Sequence, residues 1–353
     1  MSTDPGLIPA TILTGFLGAG KTTLLKRVLT EAHGQKIAVI ENEFGEENID
    51  TDILVSDTNE QIIQMSNGCV CCTIREDLRT TLSDLAAKRR KGELDFERVV
   101  IETTGLADPG PVAQTFFMDD EIAEAYLLDS ILTLVDAKHA DGQLDTRQEA
   151  RMQVGFADQI FISKSDLVEP AAVDALVHRI RHMNPRAPIQ TAHFGEVALS
   201  QVFDLRGFNL NAKLEIDPDF LKADDHGHDH HHHDHDHGHD HHHHHDHGLK
   251  HYHDEEMQSL SLRSDKPLDP SKFMPWLQNL VQIEGGKILR SKGILAFQDD
   301  DDRYVFQGVH MMLEGDHQRK WKPDEVRQSR VVFIGRELPE DAIREGFERC
   351  IVS

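Results

Sequence analysis

The chain has 353 residues, with 62 acidic against 37 basic side chains, 24 histidines and four cysteines. A formal charge of −25 opposes binding to nucleic acid or to an anionic membrane, because either surface would repel the chain rather than gain by counterion release. Three of the cysteines fall within four positions, so a disulfide framework of the secreted type is excluded and a reducing compartment is expected.

The opening MSTDPGLIPATILTGF has no basic segment followed by a long apolar stretch. Nor does any window approach about 18 uninterrupted apolar residues, so the expectation is a cytoplasmic protein without leader or membrane span. From Ile8 to about Phe208, short apolar runs alternate with longer stretches of helical period. PATILT precedes KTTLLKRVLTEA; then come KIAVIEN, RVVIE, SILTLVD and QIFIS, the last followed by AAVDALVHRIRHM. Runs that are apolar throughout suit strands buried on both faces, so the expected fold is α/β, a parallel sheet with helices on both faces.

Residues 224 to 248 comprise 15 His, 7 Asp and 3 Gly and can contribute nothing to a core. Setting those aspartates aside moves the net charge only from −25 to −18, so the rest of the chain is acidic too. Imidazoles interleaved with carboxylates bind zinc, nickel, copper or cobalt through many partial shells, which suits a collector of ions. Beyond this tract SLSLRS, SKFMPWLQNLV, KILRSKGILAFQ, YVFQGVHMML, SRVVFIG and PEDAIREGFERCI read as strand, helix, three strands, helix. Phe273, Trp276, Leu277 and Leu280 share one helix face. The domains expected are residues 1–209, a His/Asp-rich linker over 210–257, and a small α+β domain over 258–353.

Gly15-Phe16-Leu17-Gly18-Ala19-Gly20-Lys21-Thr22 satisfies G-x-x-x-x-G-K-[ST] between an apolar run and a helical one, the context of a P-loop NTPase. Glycines at Gly15, Gly18 and Gly20, with Ala19, let successive amides face a phosphate, and the helix start beginning Lys21-Thr22-Thr23 adds its positive end. Lys21 is expected to bridge the β- and γ-phosphates and the Thr22 hydroxyl to ligate Mg²⁺. Val99-Val100-Ile101-Glu102-Thr103-Thr104-Gly105 ends an apolar run in a carboxylate able to reach that Mg²⁺, with the Gly105 amide placed to sense the γ-phosphate. Ser163-Lys164-Ser165-Asp166 follows another run. Asp166 can accept from N1–H and N2–H₂ of guanine, a donor pair adenine lacks, and Lys164 would pack along the base; ATP is the competing nucleotide.

Gly68-Cys69-Val70-Cys71-Cys72 places three sulfurs ahead of the helical segment TIREDLRTTLSDLAA, where the helix dipole favours thiolates and hence Zn²⁺. A Cys69/Cys72 redox couple is the alternative, although it leaves Cys71 without a role; a buried structural cluster is another. Three protein ligands leave tetrahedral zinc one position for exchange. Glu41 and Glu46, in ENEFGE after the second strand, are candidates for the zinc or the magnesium shell, with solvated loop acids as the plain alternative. His178 and His182 lie four apart on a helical segment but read as an exposed face, His310 as core, and Cys350 as an isolated thiol.

TGFLGAGKTTLL, ENEFGE, NGCVCC, VIETTGLADPGPV and SKSD together resemble the CobW-type P-loop GTPases, relatives of the HypB and UreG nickel-insertion GTPases, and most of all the YjiA-type and zinc-transferring members. The resemblance extends to the C-terminal FQGVHMML and VVFIGREL. It implies a GTP-hydrolysing metallochaperone that uses GTP and Mg²⁺ and passes zinc from Cys69, Cys71 and Cys72 to client apo-metalloproteins. Nickel or cobalt cargo, a storage protein and a homo-oligomer remain open. Ser163 departs from the Asn found in many GTPases, while Lys164 and Asp166 match.

Overall fold

The computed structural model describes residues 7–30, 36–41, 61–64, 73–208, 257–322 and 325–352. Cys69, Cys71, Cys72, Glu46 and the histidine tract lie outside the described residues. The first sheet has seven parallel strands: β1 (Ile8–Gly15), β2 (Ile37–Glu41), β3 (Gln61–Gln64), β4 (Arg98–Glu102), β5 (Tyr126–Asp136), β6 (Gln159–Ser163) and β7 (Ile189–Ala192). Their order is β3-β2-β4-β1-β5-β6-β7. The five apolar runs are β1, β2, β4, β5 and β6; the edges are closed by β3 and β7, four residues each and too short to stand out.

Alternate residues along each central strand enter different cores. Ile12, Ala38, Ile40, Val99 and Ile101 pack on one face, whereas Leu13, Ile37, Val39 and Val100 join α1 (Lys21–Thr30) on the other. The first face is covered by α2 (Thr73–Arg90), α3 (Pro109–Met118), α4 (Asp120–Ala125), α5 (Ala140–Thr146), α6 (Gln148–Phe156) and α7 (Pro170–Met183). Helix starts follow local chemistry. Asp108 caps α3 by accepting from the Gly110 amide at 2.8 Å, with Pro109 at the first helical position where its missing N–H is no loss.

The second sheet is antiparallel in the order β11-β10-β9-β12-β8, from β8 (Met257–Ser264), β9 (Ile288–Leu295), β10 (Asp302–Val309), β11 (Met312–Lys320) and β12 (Ser329–Arg336). YVFQGVHMML is therefore not one strand. It breaks at His310-Met311, the two-residue turn between β10 and β11, and His310 takes φ 53° there, as such hairpins require. The apolar run hid that turn. One face of this sheet packs Phe333 and Val331 on α8 (Pro270–Glu284) and α9 (Glu340–Glu348), where Phe273, Leu277 and Leu280 are buried as their spacing indicates. Its other face, through Leu289, Val309, Val332 and Ile334, continues the core of the parallel sheet.

A fully buried ion cluster fastens the two sheets. Asp158, after α6, accepts from Arg290 Nη2 at 2.9 Å and Lys292 Nζ at 3.1 Å, both on β9. Arg290 also donates to the Phe156 carbonyl at 2.6 Å and lies 4.2 Å from the centroid of the Phe208 ring. Burial pushes the Asp158 carboxyl up, but the Arg290 and Lys292 charges prevail and hold it well below the usual carboxylate range.

Candidate functional site

Strand order puts the carboxyl ends of β1, β2 and β4 side by side, where open parallel sheets bind ligands. The phosphate loop leaves β1 there. Gly18 holds φ 76°, a left-handed conformation that lets the backbone fold back over α1. Ala19 is fully buried beneath the loop. Lys21, also buried, donates through Nζ to the Gly15 carbonyl at 2.9 Å, so its ammonium lies inside the loop it is meant to serve.

Residues 80 positions apart meet at the start of α1: the Thr22 hydroxyl donates to Glu102 Oε1 at 3.3 Å. Register adds a second carboxylate, since Glu41 is the Cα partner of Glu102 across β2 and β4. Glu41 is in turn the partner of Gln64, the last residue of β3. The chain thus enters segment 65–72, which carries the cysteines, beside these two carboxylates, and α2 begins at Thr73 directly after Cys72. Glu41 belongs to this edge rather than to a solvated loop.

After Glu102 the chain stays against the phosphate loop. The Thr103 amide donates to the Leu13 carbonyl at 2.9 Å and its hydroxyl to Thr14 Oγ1 at 2.8 Å. A Cβ on Gly105 would lie 2.5 Å from the Leu17 amide nitrogen, so only glycine admits this approach. Gln153 of α6, absent from any motif, donates through Nε2 to the carbonyls of Gly105 at 3.2 Å and Ala107 at 3.0 Å. No local signal in the sequence marks it.

Two strands along, Ser163 ends β6 and donates through Oγ to the Ala19 carbonyl at 2.7 Å, tying the base loop to the phosphate loop. The departure from Asn thus keeps a bond across the site. Lys164 takes φ 56°, and its Nζ donates to Asp136 Oδ2 at 2.8 Å. Burial pushes the Asp136 carboxyl up, but bonds from Lys164, His139 and the Lys138 amide hold it below its ordinary value. Asp166, half exposed, follows in a short 3₁₀ turn. His193 Nδ1 lies 3.5 Å from Asp166 Oδ1, and the His193 ring meets Phe194 at 4.6 Å. Phe194 is 73% exposed at φ 46°, an aromatic face held open beside the base site. A strand-terminal carboxylate at Asp136 was readable in SILTLVD; Phe194 was not, since β7 itself was too short to recognise.

His178 and His182 are exposed on α7, and no group of three or more His, Cys, Asp or Glu able to hold a metal occurs among the described residues. No helix among them is long and apolar enough to cross a membrane. Cys350 is buried, with its thiol donating to the Gly346 carbonyl at 3.2 Å.

A parallel sheet with a glycine-rich loop after β1 and a hydroxyl and carboxylate meeting at the following helix start, with Lys164 and Asp166 after β6, is the arrangement of a P-loop nucleotide hydrolase. Residues 9–191 match the model of the CobW/HypB/UreG nucleotide-binding domain and residues 257–351 that of the cobalamin synthesis protein cobW C-terminal domain, so the chain belongs to the CobW/HypB/UreG family. It is 40% identical over 341 residues to zinc chaperone YjiA of Escherichia coli, covering 96% of this chain and 98% of that protein. It is 30% identical to zinc-regulated GTPase metalloprotein activator 1 of Schizosaccharomyces pombe, over 95% of this chain and 83% of the relative. The crystal structure of Zn(II)-bound YjiA GTPase from E. coli superposes with TM-score 0.72 at 34% identity, covering 98% and 99% of the two chains.

Proposed function

We propose that this chain is a GTP-hydrolysing zinc chaperone that carries zinc on Cys69, Cys71 and Cys72 and delivers it to apo-metalloproteins in the cytoplasm. The observation that carries the reading is the shared sheet edge: Thr22 bonds Glu102, Glu102 is in register with Glu41, and Glu41 with the residue that opens the cysteine segment. Nucleotide and cargo would then act on one set of strand ends. The names and the superposition of the relatives support the same reading.

In this scheme residues 1–209 bind and cleave GTP, 210–257 gather ions, and 258–353 form the second domain. A hydroxyl and carboxylates at the strand ends are hard oxygen donors, which suits Mg²⁺ held by Thr22 and Glu102 with Glu41 alongside. Such an ion supplies neutralisation of charge on the phosphates. The amides of Gly15 to Thr22 cradle the phosphates, Thr23 continues the helix start, and Lys21 stabilises charge on the transferring group. Gly105 donates its amide to the γ-phosphate. Asp166 selects guanine, Lys164 lines the base, and Phe194 stacks on it.

Reconstitution tests the scheme: zinc-loaded protein is mixed with an apo-metalloenzyme in the presence of GTP or a non-hydrolysable analogue. Faster client activation with GTP is expected; equal activation with both removes hydrolysis from the mechanism. Zinc affinity measured in the triphosphate, diphosphate and nucleotide-free forms should differ between the first two.

A further inference from the structure

The segment from Gly105 to the first turn of α3, at Pro109-Gly110, is clasped from two sides. On one side stands Gln153, 1% exposed, whose single amide nitrogen serves the carbonyls of Gly105 and Ala107. A buried amide donating to two carbonyls of one turn fixes that turn's conformation, because removing the donor leaves the buried Gly105 carbonyl without it and frees the half-buried Ala107 carbonyl. On the other side stands the second domain. The His310 backbone amide donates to the Leu289 carbonyl at 3.1 Å and its ring Nδ1 to the Gly285 carbonyl at 3.1 Å, so both the turn and the ring orientation are fixed by carbonyls of the second domain. The opposite edge of that ring faces the start of α3: a Cβ on Gly110 would lie 2.7 Å from His310 Nε2.

Both clasps converge on α6. The His310 ring packs against Phe156 with centroids 5.3 Å apart, and Phe156 lies three residues beyond Gln153 on the same helix. The Phe156 carbonyl and Asp158 are the groups that Arg290 and Lys292 hold. A shift of the segment must therefore break the Gln153 bonds, move α6 against a buried ion cluster, or displace the His310 turn. The left-handed His310 of the second domain thus stands against the glycine at 110, at the start of α3 in the first, where a side chain would meet its ring.

We propose that Gln153 and His310 are positioning residues, Gln153 for the Gly105–Ala107 turn and His310 for the start of α3 that follows it, and that through them the C-terminal sheet sets this segment's preference between a nucleoside triphosphate and a diphosphate. The second domain is then a resident regulator of turnover. The proposal rests on the reading of Gly105 as the γ-phosphate contact.

The test compares full-length wild type with Gln153→Leu, His310→Asn and Gly105→Ala, measuring Kd for GDP and for a non-hydrolysable GTP analogue, and kcat and KM for GTP. Leu keeps the volume of Gln153 without its donor, and Asn tolerates the left-handed turn while withdrawing the ring. Gln153→Leu is expected to weaken the analogue about tenfold relative to GDP and to lower kcat by a similar factor, with GDP affinity unchanged. His310→Asn, on a half-buried turn, should move the same ratio about threefold and gives the result should Gln153→Leu fail to fold. If Gly105→Ala shifts the ratio while Gln153→Leu and His310→Asn leave it unchanged, or weaken both nucleotides equally, the positioning role is overturned and the γ-phosphate reading stands. If none of the three shifts it, that reading falls and takes the proposal with it.

Discussion

The sheet edge beneath the phosphate loop and the junction between the two sheets both bury carboxylates, in opposite arrangements. At the edge, Glu41 and Glu102 are Cα partners in register, and the Thr22 hydroxyl donates to Glu102. At the junction a single carboxylate, Asp158, meets two cations and accepts the Ile131 amide at 3.0 Å as well. Carboxylates gathered at strand ends beside a hydroxyl offer oxygen donors to a cation, whereas a buried carboxylate already meeting two cations is costly to break, since removing it strands their charges. The contrast separates carboxylates that end strands β2 and β4 from one that stands just before β6 and joins the two sheets.

The hardest blow to this contrast falls on the junction. Asp158→Asn leaves Arg290 and Lys292 facing each other without a countercharge, and unfolding in denaturant should show a loss of about 3–5 kcal/mol. The same residue fixes an acid limit. Its carboxyl is held below the ordinary value in the folded chain, so its contribution is complete above about pH 4, where the unfolded carboxyl ionises, and is lost as pH falls toward the depressed folded value. Thermal melts of wild type should drop below that pH, and the Asn variant should lose this part of the slope.

Next in size, Lys21→Ala should cut GTP hydrolysis about 10²–10³-fold, read from initial rates at saturating GTP. Phe194→Ala should weaken GTP and GDP equally, by about tenfold, with kcat at saturation retained; unequal loss would place the ring near the phosphates instead. The smallest effect sharpens the contrast from the other side. Glu41→Gln should raise the Mg²⁺ concentration needed for half-maximal hydrolysis and leave nucleotide selectivity unchanged.

Motifs whose chemistry is local were legible in the sequence. The phosphate loop, Glu102 and Lys164-Ser165-Asp166 each carry their signal within a few residues, and the structure places each at a strand end of one sheet. What pairs across the chain was not. Gln153 reaches a loop 48 positions earlier, and Arg290 reaches Asp158 across 132. Each reads alone as a polar residue in an apolar context. The β10–β11 turn escaped because its residues, His310-Met311, are neither glycine nor asparagine, and tertiary contacts rather than propensity hold the left-handed backbone. The register that pairs Glu41 with Glu102 depends on strand order, which an alternation of runs does not contain.

Cys350 bears on how the other three sulfurs can be counted. It is 2% exposed, burial pushes its thiol up, and it bonds the preceding helical turn. A neutral, enclosed thiol reacts slowly with alkylating agents. A slow-labelling thiol in an alkylation time course is then assigned to Cys350, so that any change in labelling with nucleotide or zinc is read from the other three cysteines with no need to mutate the fourth.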